Sequence, residues 1–289
     1  MKRLLKFMVL AILVFCSFTV TACGGEKPVN LTSVSLVNNS TGFTVTEADA
    51  GIAVGLAKGS PLKASMDEYL GSLASGYKNK LMQKMVELKT KESATYSIEY
   101  NADHSTSNGT LKVGMECACA PFNWTQDVDK NGAIAIENVP GKYANGYDVQ
   151  IAAQVAAYLD MKLEIYQYEW NSLVSALKDG TLTAIISSVR PTTAMIEEID
   201  FTVPYYQSNL VIVTREGSAI AAATNLDEVD KAGIKIAARV GSFHLEALKA
   251  QTDSLTVVET YQNFNDMESA LKKGTIDGYV VDEPMVSMF

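Results

Sequence analysis

Apolar residues fall in short runs at 111–115, 163–166 and 184–189, and the stretches between them carry apolar positions at helical spacing. That alternation predicts strands joined by crossover helices, a doubly wound α/β lobe over residues 111–206. A second set follows it. Residues 208–213 read as a strand, Asn225-Leu226-Asp227 opens a helix-like connection, and GIKIAARVGSFHLEALKAQ reads as a strand, a glycine-containing turn and a helix. Such a turn presents backbone N–H groups to an anionic group. Residues 255–258 and 276–281 predict further strands, with a helix at 267–272 between them. Upstream, 52–56 predict a strand, Ser60 and Pro61 read as the N-cap and first residue of a helix, and 78–89 place Leu81, Met85 and Leu88 on one helical face.

The chain has 289 residues and a formal net charge of −9. That length allows two lobes of about 100 to 150 residues each. The first 22 residues hold Lys2, Arg3 and Lys6 and no acid, so the body is more acidic still, which excludes nucleic acid as the expected partner. Residues 1–22 read as a secretory signal, with a basic start, an apolar run at 7–18 and small residues before Cys23. Val20-Thr21-Ala22-Cys23 resembles a lipobox, in which the cysteine is lipidated and becomes the mature N-terminus, followed by a tether over 23–29. An ordinary secretory cleavage site and a retained membrane helix are the alternatives. The apolar run is shorter than the ~20 residues a span requires, so the protein is expected to be tethered to the extracytoplasmic face of the cell membrane.

Once the expected signal, which carries Cys16, is removed, Cys117 and Cys119 are the only cysteines besides Cys23. Two apart in a strand, they share a face without approaching bonding geometry. Two free thiols, a strained disulfide and a metal site stay open, and the metal site lacks further ligands because His104 and His244 lie in other segments.

Five spaced motifs, APFNW (120–124), GYDV (146–149), EWNSLVSAL (169–177), IDFTVPYY (199–206) and IDGYVVDEP (276–284), closely resemble the type II periplasmic binding proteins, specifically the amino-acid receptors of ABC importers. The resemblance implies a two-lobed α/β fold with a hinge of two crossover strands. It also exposes a displaced segment. A strand like GIAVGLAKGS and the two helices after it come last in the resembled family, whereas here they come first. A circular permutation follows as the expectation. Residues 30–50 then form part of the second lobe and the return hinge, 51–92 complete the first lobe, 93–109 link the old ends, 110–207 form the first-lobe core, and 208–289 form the hinge and second lobe. The linker spans at most ~56 Å extended and ~23 Å as coil, enough to join surface termini on one lobe. The alternative is a separate small domain at 30–92.

In the resembled family the ligand lies between the lobes, held by an aromatic clamp, an arginine on its α-carboxylate and an acid on its α-ammonium. Asp282 matches the acid, with a helix N-cap before Glu283-Pro284 as the structural alternative. Trp170 matches the aromatic wall, with core packing as its alternative. Glu116 matches a position that contacts ligand side chains, or is a solvent-exposed acid. Phe122 and Trp124 read as lobe packing. Two departures matter more. Cys119 stands where the clamp aromatic is expected, and Met195 stands where the carboxylate-binding arginine is expected.

Ser188 joins the expected set at the end of the 184–189 strand, and Arg190 occupies the Ser/Thr position that in the resembled family faces the ligand, where its planar fork suits a carboxylate; the alternative is a surface residue before Pro191. Arg239, with Ser242 and the backbone around Gly241, matches a position facing the ligand side chain, or is a charge at the cleft rim. His244 reads as a helix-start residue. The expected ligand-binding set is therefore Glu116, Cys119, Trp170, Ser188, Arg190, Arg239, Ser242 and Asp282.

The function implied is capture of a polar amino acid and delivery to ABC permease subunits, with no cofactor, no metal and no catalysis. A sensory or degenerate receptor is the alternative, motivated by Cys119, Met195 and the permuted order. A dehydratase-like enzyme on the same fold needs an acid or base such as Glu116 or Asp282, without any nucleophile, base and orienter at suitable spacing.

Overall fold

Two five-stranded sheets carry the two lobes in this computed structural model, which describes residues 29–35, 51–98 and 105–289. With strands numbered in chain order, the first-lobe sheet runs β11 (Ile199–Phe201), β3 (Gly55–Ala57), β10 (Ala184–Ile185), β4 (Thr110–Met115) and β9 (Lys162–Gln167). β4 pairs in parallel with β9 and β10, while β3 enters antiparallel between β10 and β11. The second-lobe sheet runs β1 (Leu31–Ser35), β13 (Leu210–Arg215), β16 (Gly278–Asp282), β14 (Lys235–Ala237) and β15 (Thr256–Val258). Here β13 is antiparallel to both neighbours, and the pairs made by β14 are parallel. Between the lobes β2 (Gly51–Ile52) pairs with β12 (Tyr206–Gln207). A small sheet of β5 (Ala118–Cys119), β6 (Asn123–Gln126), β8 (Tyr143–Asn145) and β7 (Ile134–Ala135) follows β4.

In the first lobe β10 and the carboxyl end of β4 are buried, while the edge strand β9 leaves Lys162 exposed and buries only Ile165 fully. Helices α1 (Lys63–Ser72) and α2 (Ser75–Thr90) contribute Met66, Leu70, Leu81, Met82 and Met85 to the core that also holds Leu111, Val113 and Val155. They lie against α3 (Tyr147–Tyr158), where the Tyr69 and Tyr77 hydroxyls both donate to Gln154 Oε1 at 3.1 and 2.8 Å. α3 starts at Gly146, whose φ of 126° and close approach to the Phe122 carbonyl leave no space for a Cβ.

The other helices are α4 (Leu173–Lys178), α5 (Thr193–Glu198), α6 (Leu226–Val229), α7 (Phe243–Gln251) and α8 (Phe264–Lys272). Side-chain oxygens of Thr192, Asn225 and Asn263 accept backbone N–H bonds at the starts of α5, α6 and α8, satisfying donors that helix geometry leaves without partners.

Several boundaries differ from expectation for local reasons. The helix expected from Ser60 begins at Lys63, because Lys63 N donates to Ser60 O (3.2 Å) and closes a turn first; Leu62 stands at the N-cap. The run 52–56 divides into β2 and β3, with Ala53 N donating to Val189 O and Val54 N to Thr202 Oγ1. Of the run 184–189 only two residues are strand. Beyond them Ser187 Oγ accepts from Glu116 N (3.0 Å), and Ser188 adopts φ 46°, which turns the chain out of the sheet. The signal and lipobox readings, including Cys23, residues 36–50 of the segment expected to run into the return hinge, His104 and part of the 93–109 linker lie outside the described residues.

Candidate functional site

The carboxyl end of β16 and the turn after β10 meet where the lobes face each other. Asp282, at the end of β16, and Arg190, four residues after Ile186 on that turn, form an ion pair across the interface: Arg190 Nε donates to Asp282 Oδ1 at 3.1 Å, and Nη2 donates to the same oxygen and to Ser208 O (2.7 Å). Both are buried, so Arg190 is no surface residue. Asp282 stands at the N-cap of the terminal 3-10 turn but makes no capping bond; its second oxygen meets His244 Nε2 at 3.0 Å. Burial alone would raise the Asp282 carboxyl, but Arg190 and His244 outweigh it and hold it well below the usual carboxylate range. Burial, aided by Arg190 and Arg239, pushes His244 down against the pull of Asp282.

A second cross-lobe pair lies beside the first. Arg239, from the turn between β14 and α7, donates through Nη1 to Glu116 Oε2 of the first lobe. Its guanidinium carbon stands 3.6 Å from the Trp170 ring centre and 4.7 Å from that of Phe264. All four residues are buried, so Arg239 is not a rim charge and Glu116 is not solvent-exposed. Trp170 meets a cation of the chain's own, besides packing against the Leu173 and Ile185 cluster. Ser242 Oγ donates to Arg239 O (2.6 Å), so this hydroxyl braces the turn that carries the arginine.

Cys119 lies beneath this surface, its Sγ 3.6 Å from Ser188 Oγ and 3.9 Å from Met285 Sδ. Cys117 and Cys119 are buried and unbridged, which closes the disulfide alternative. Burial pushes both thiols up, Cys117 to about 12, so neither is a ready thiolate. Among the described residues no group of three or more His, Cys, Asp or Glu is arranged to hold a metal.

The Ser188 turn is held from below. Buried Asp148 accepts from Asn123 Nδ2 (2.7 Å), Tyr205 Oη (2.8 Å) and the Ser188 backbone, and its own burial still raises its carboxyl to about 6. Phe122 packs edge-on to Tyr147 and Tyr206, and Trp124 lies under Lys89 Nζ. Met195, on α5, packs against the Trp170 cluster.

Three contributors escaped the sequence reading: His244 on Asp282, Phe264 behind Arg239, and Glu246, whose Oε2 accepts from Thr193 N across the lobes (3.2 Å). The GSFHLEAL segment signalled a helix start, and nothing in it announced that the imidazole would reach the end of β16.

Residues 111–256 match the model of the bacterial extracellular solute-binding proteins, family 3. The chain is 26% identical to a probable histidine-binding protein of Campylobacter jejuni over 193 residues, 66% of this chain and 67% of that protein. It is 23% identical to a probable histidine-binding protein of Neisseria gonorrhoeae over 178 residues, 62% of this chain and 60% of that protein. The chain thus spans about three fifths to two thirds of these relatives' length. Among solved structures, the arginine-bound form of truncated ArgBP from T. maritima is 26% identical, with a TM-score of 0.51 over 63% of this chain and 78% of that one. An ancestral arginine-binding protein bound to arginine is also 26% identical, with a TM-score of 0.50 over 61% of this chain and 71% of that one. With half the chain matched by the family model and the two-lobed α/β architecture in common with solved relatives, the protein belongs to the bacterial extracellular solute-binding proteins, family 3.

Proposed function

We propose that the protein captures an α-amino acid between its lobes and delivers it to an ABC-type permease, from a lipid anchor at Cys23 outside the cytoplasm. The observation that carries this reading is the buried Arg190–Asp282 pair, one member from each lobe. A solute entering there separates two buried charges of opposite sign. A zwitterion repairs both at once, with its carboxylate on Arg190 and its ammonium on Asp282. A simple anion would take Arg190 and leave Asp282 without its guanidinium partner, a loss of about 3–5 kcal/mol that His244 offsets only in part. Arg190 thereby takes the role that Met195 cannot fill. Contacts to both lobes favour closure, with β12 and β2 at the hinge, and closure is what a permease can recognise. Relatives named as histidine- and arginine-binding support the amino-acid class.

The reading includes a permuted chain order. The elements at 31–35 and 55–90 complete the two lobes, residues 29–32 and 288–289 line one pocket, and the family match begins only at residue 111.

Calorimetric titration of residues 24–289 with the common amino acids tests the proposal: micromolar or tighter binding of at least one supports it, and silence across the panel in a folded sample removes it. Silence would favour a sensory or degenerate receptor, a reading that the mutual pairing of Arg190 with Asp282 and Arg239 with Glu116 also supports.

A further inference from the structure

Arg239 sits in a cage of a kind that holds guanidinium groups. Trp170 and Phe264 offer ring faces at 3.6 and 4.7 Å, and Glu116 supplies the counter-charge. A buried cation needs all of these, because without them its desolvation is uncompensated. The lining comes from both lobes: Glu116 and Trp170 from the first, Phe264 from the second. The turn bearing Arg239 is fixed by Val240 N donating to Tyr261 O (3.0 Å), by Ser242 Oγ on the Arg239 carbonyl, and by Gly241 at φ 65°. Arg239 Nε is buried without a hydrogen-bond partner among the described residues, so one donor of the guanidinium remains unspent.

We infer that Arg239 is a chain-borne occupant of a guanidinium subsite in the cleft, and that it sets specificity by excluding ligands with a cationic side chain. A ligand bearing a second positive charge meets Arg239 in the pocket that suits it and is repelled. A ligand with a small or acceptor-bearing side chain is tolerated, and an acceptor can take the unspent Nε donor. The exclusion rests on amino-acid capture between the lobes; the cage itself does not. Removing the occupant, by Arg239→Ala, converts the subsite into a receptor for guanidinium compounds.

The test titrates wild type and Arg239→Ala with N-propylguanidinium, using N-propylammonium as the control and following binding by calorimetry and thermal shift. The variant is expected to bind the guanidinium at least ~30-fold more tightly than wild type does, and more tightly than it binds the ammonium. Adding Glu116→Gln is expected to abolish the gain. If Arg239→Ala does not fold alone, refolding is repeated with each compound present, and recovery specific to the guanidinium supports the assignment. Equal binding by wild type and variant, or refolding recovered by neither compound, overturns it. Guanidinium rescue in a protein that binds no amino acid leaves the cage in place while removing the capture function, so the two failures are distinguishable.

Discussion

Replacing Arg190 with alanine is expected to abolish amino-acid binding and to destabilise the protein by about 3–5 kcal/mol at pH 7, because it strands Asp282 as a buried carboxylate. The lost carboxylate contact alone weakens binding by roughly thirty-fold to a few thousand-fold. The pH dependence has a definite sign. In the wild type Asp282 is held below its usual value, so the stability it contributes is present above pH ~4 and is lost as pH falls through its depressed folded value. In Arg190→Ala the guanidinium's pull is gone, and burial of Asp282 is opposed by His244 alone of the two. Acidification then relieves the variant, by protonating Asp282 or by charging His244 beside it. The stability gap between wild type and variant is therefore expected to narrow from pH 7 to pH 4 in urea titrations. A gap that is absent at both values would remove the pair from the account.

A chain reordered to run from residue 110 to Phe289, through a short flexible linker into Asn30, and on to residue 98 is expected to fold and bind as the natural order does. Residues 29–32 and 288–289 line the same pocket, so the new join has little distance to cover. A change of loop costs on the order of 1 kcal/mol, which moves the melting temperature by only about 2–4 °C. The fragment 110–289 alone is expected to show no cooperative unfolding. It lacks β3, which lies between β10 and β11, and the second-lobe edge strand β1, and it exposes the surface that Met66, Leu70, Leu81 and Met85 cover. A fragment that melts cooperatively, with residues 30–98 folding apart from it, would contradict the permuted reading.

The periodicity between residues 111 and 206 made the first lobe legible, because crossover helices and buried parallel strands leave patterns that single residues cannot disguise. Strand ends were less so. The run 184–189 is apolar enough to extend, yet Ser187 and Ser188 spend it on a turn, since side-chain hydrogen bonding and a left-handed backbone compete with the sheet. Charged site residues were visible as types but not as pairs. Arg190 and Asp282 stand 92 positions apart, Glu116 and Arg239 123 apart, and only the closing of two lobes brings each to its partner. His244 was passed over because a histidine one residue into a helix has an ordinary local explanation, and its reach to Asp282 depends on how α7 lies against β16.

On the proposed function, an amino acid enters the cleft by exchanging the Arg190–Asp282 pair for its own two charges. A crystal structure of the complex with the tightest-binding amino acid tests it most directly. The ligand carboxylate is expected on the Arg190 guanidinium and its ammonium on Asp282, with Arg190 and Asp282 no longer bonded to each other. A ligand bound elsewhere, with that ion pair intact beneath it, would contradict it.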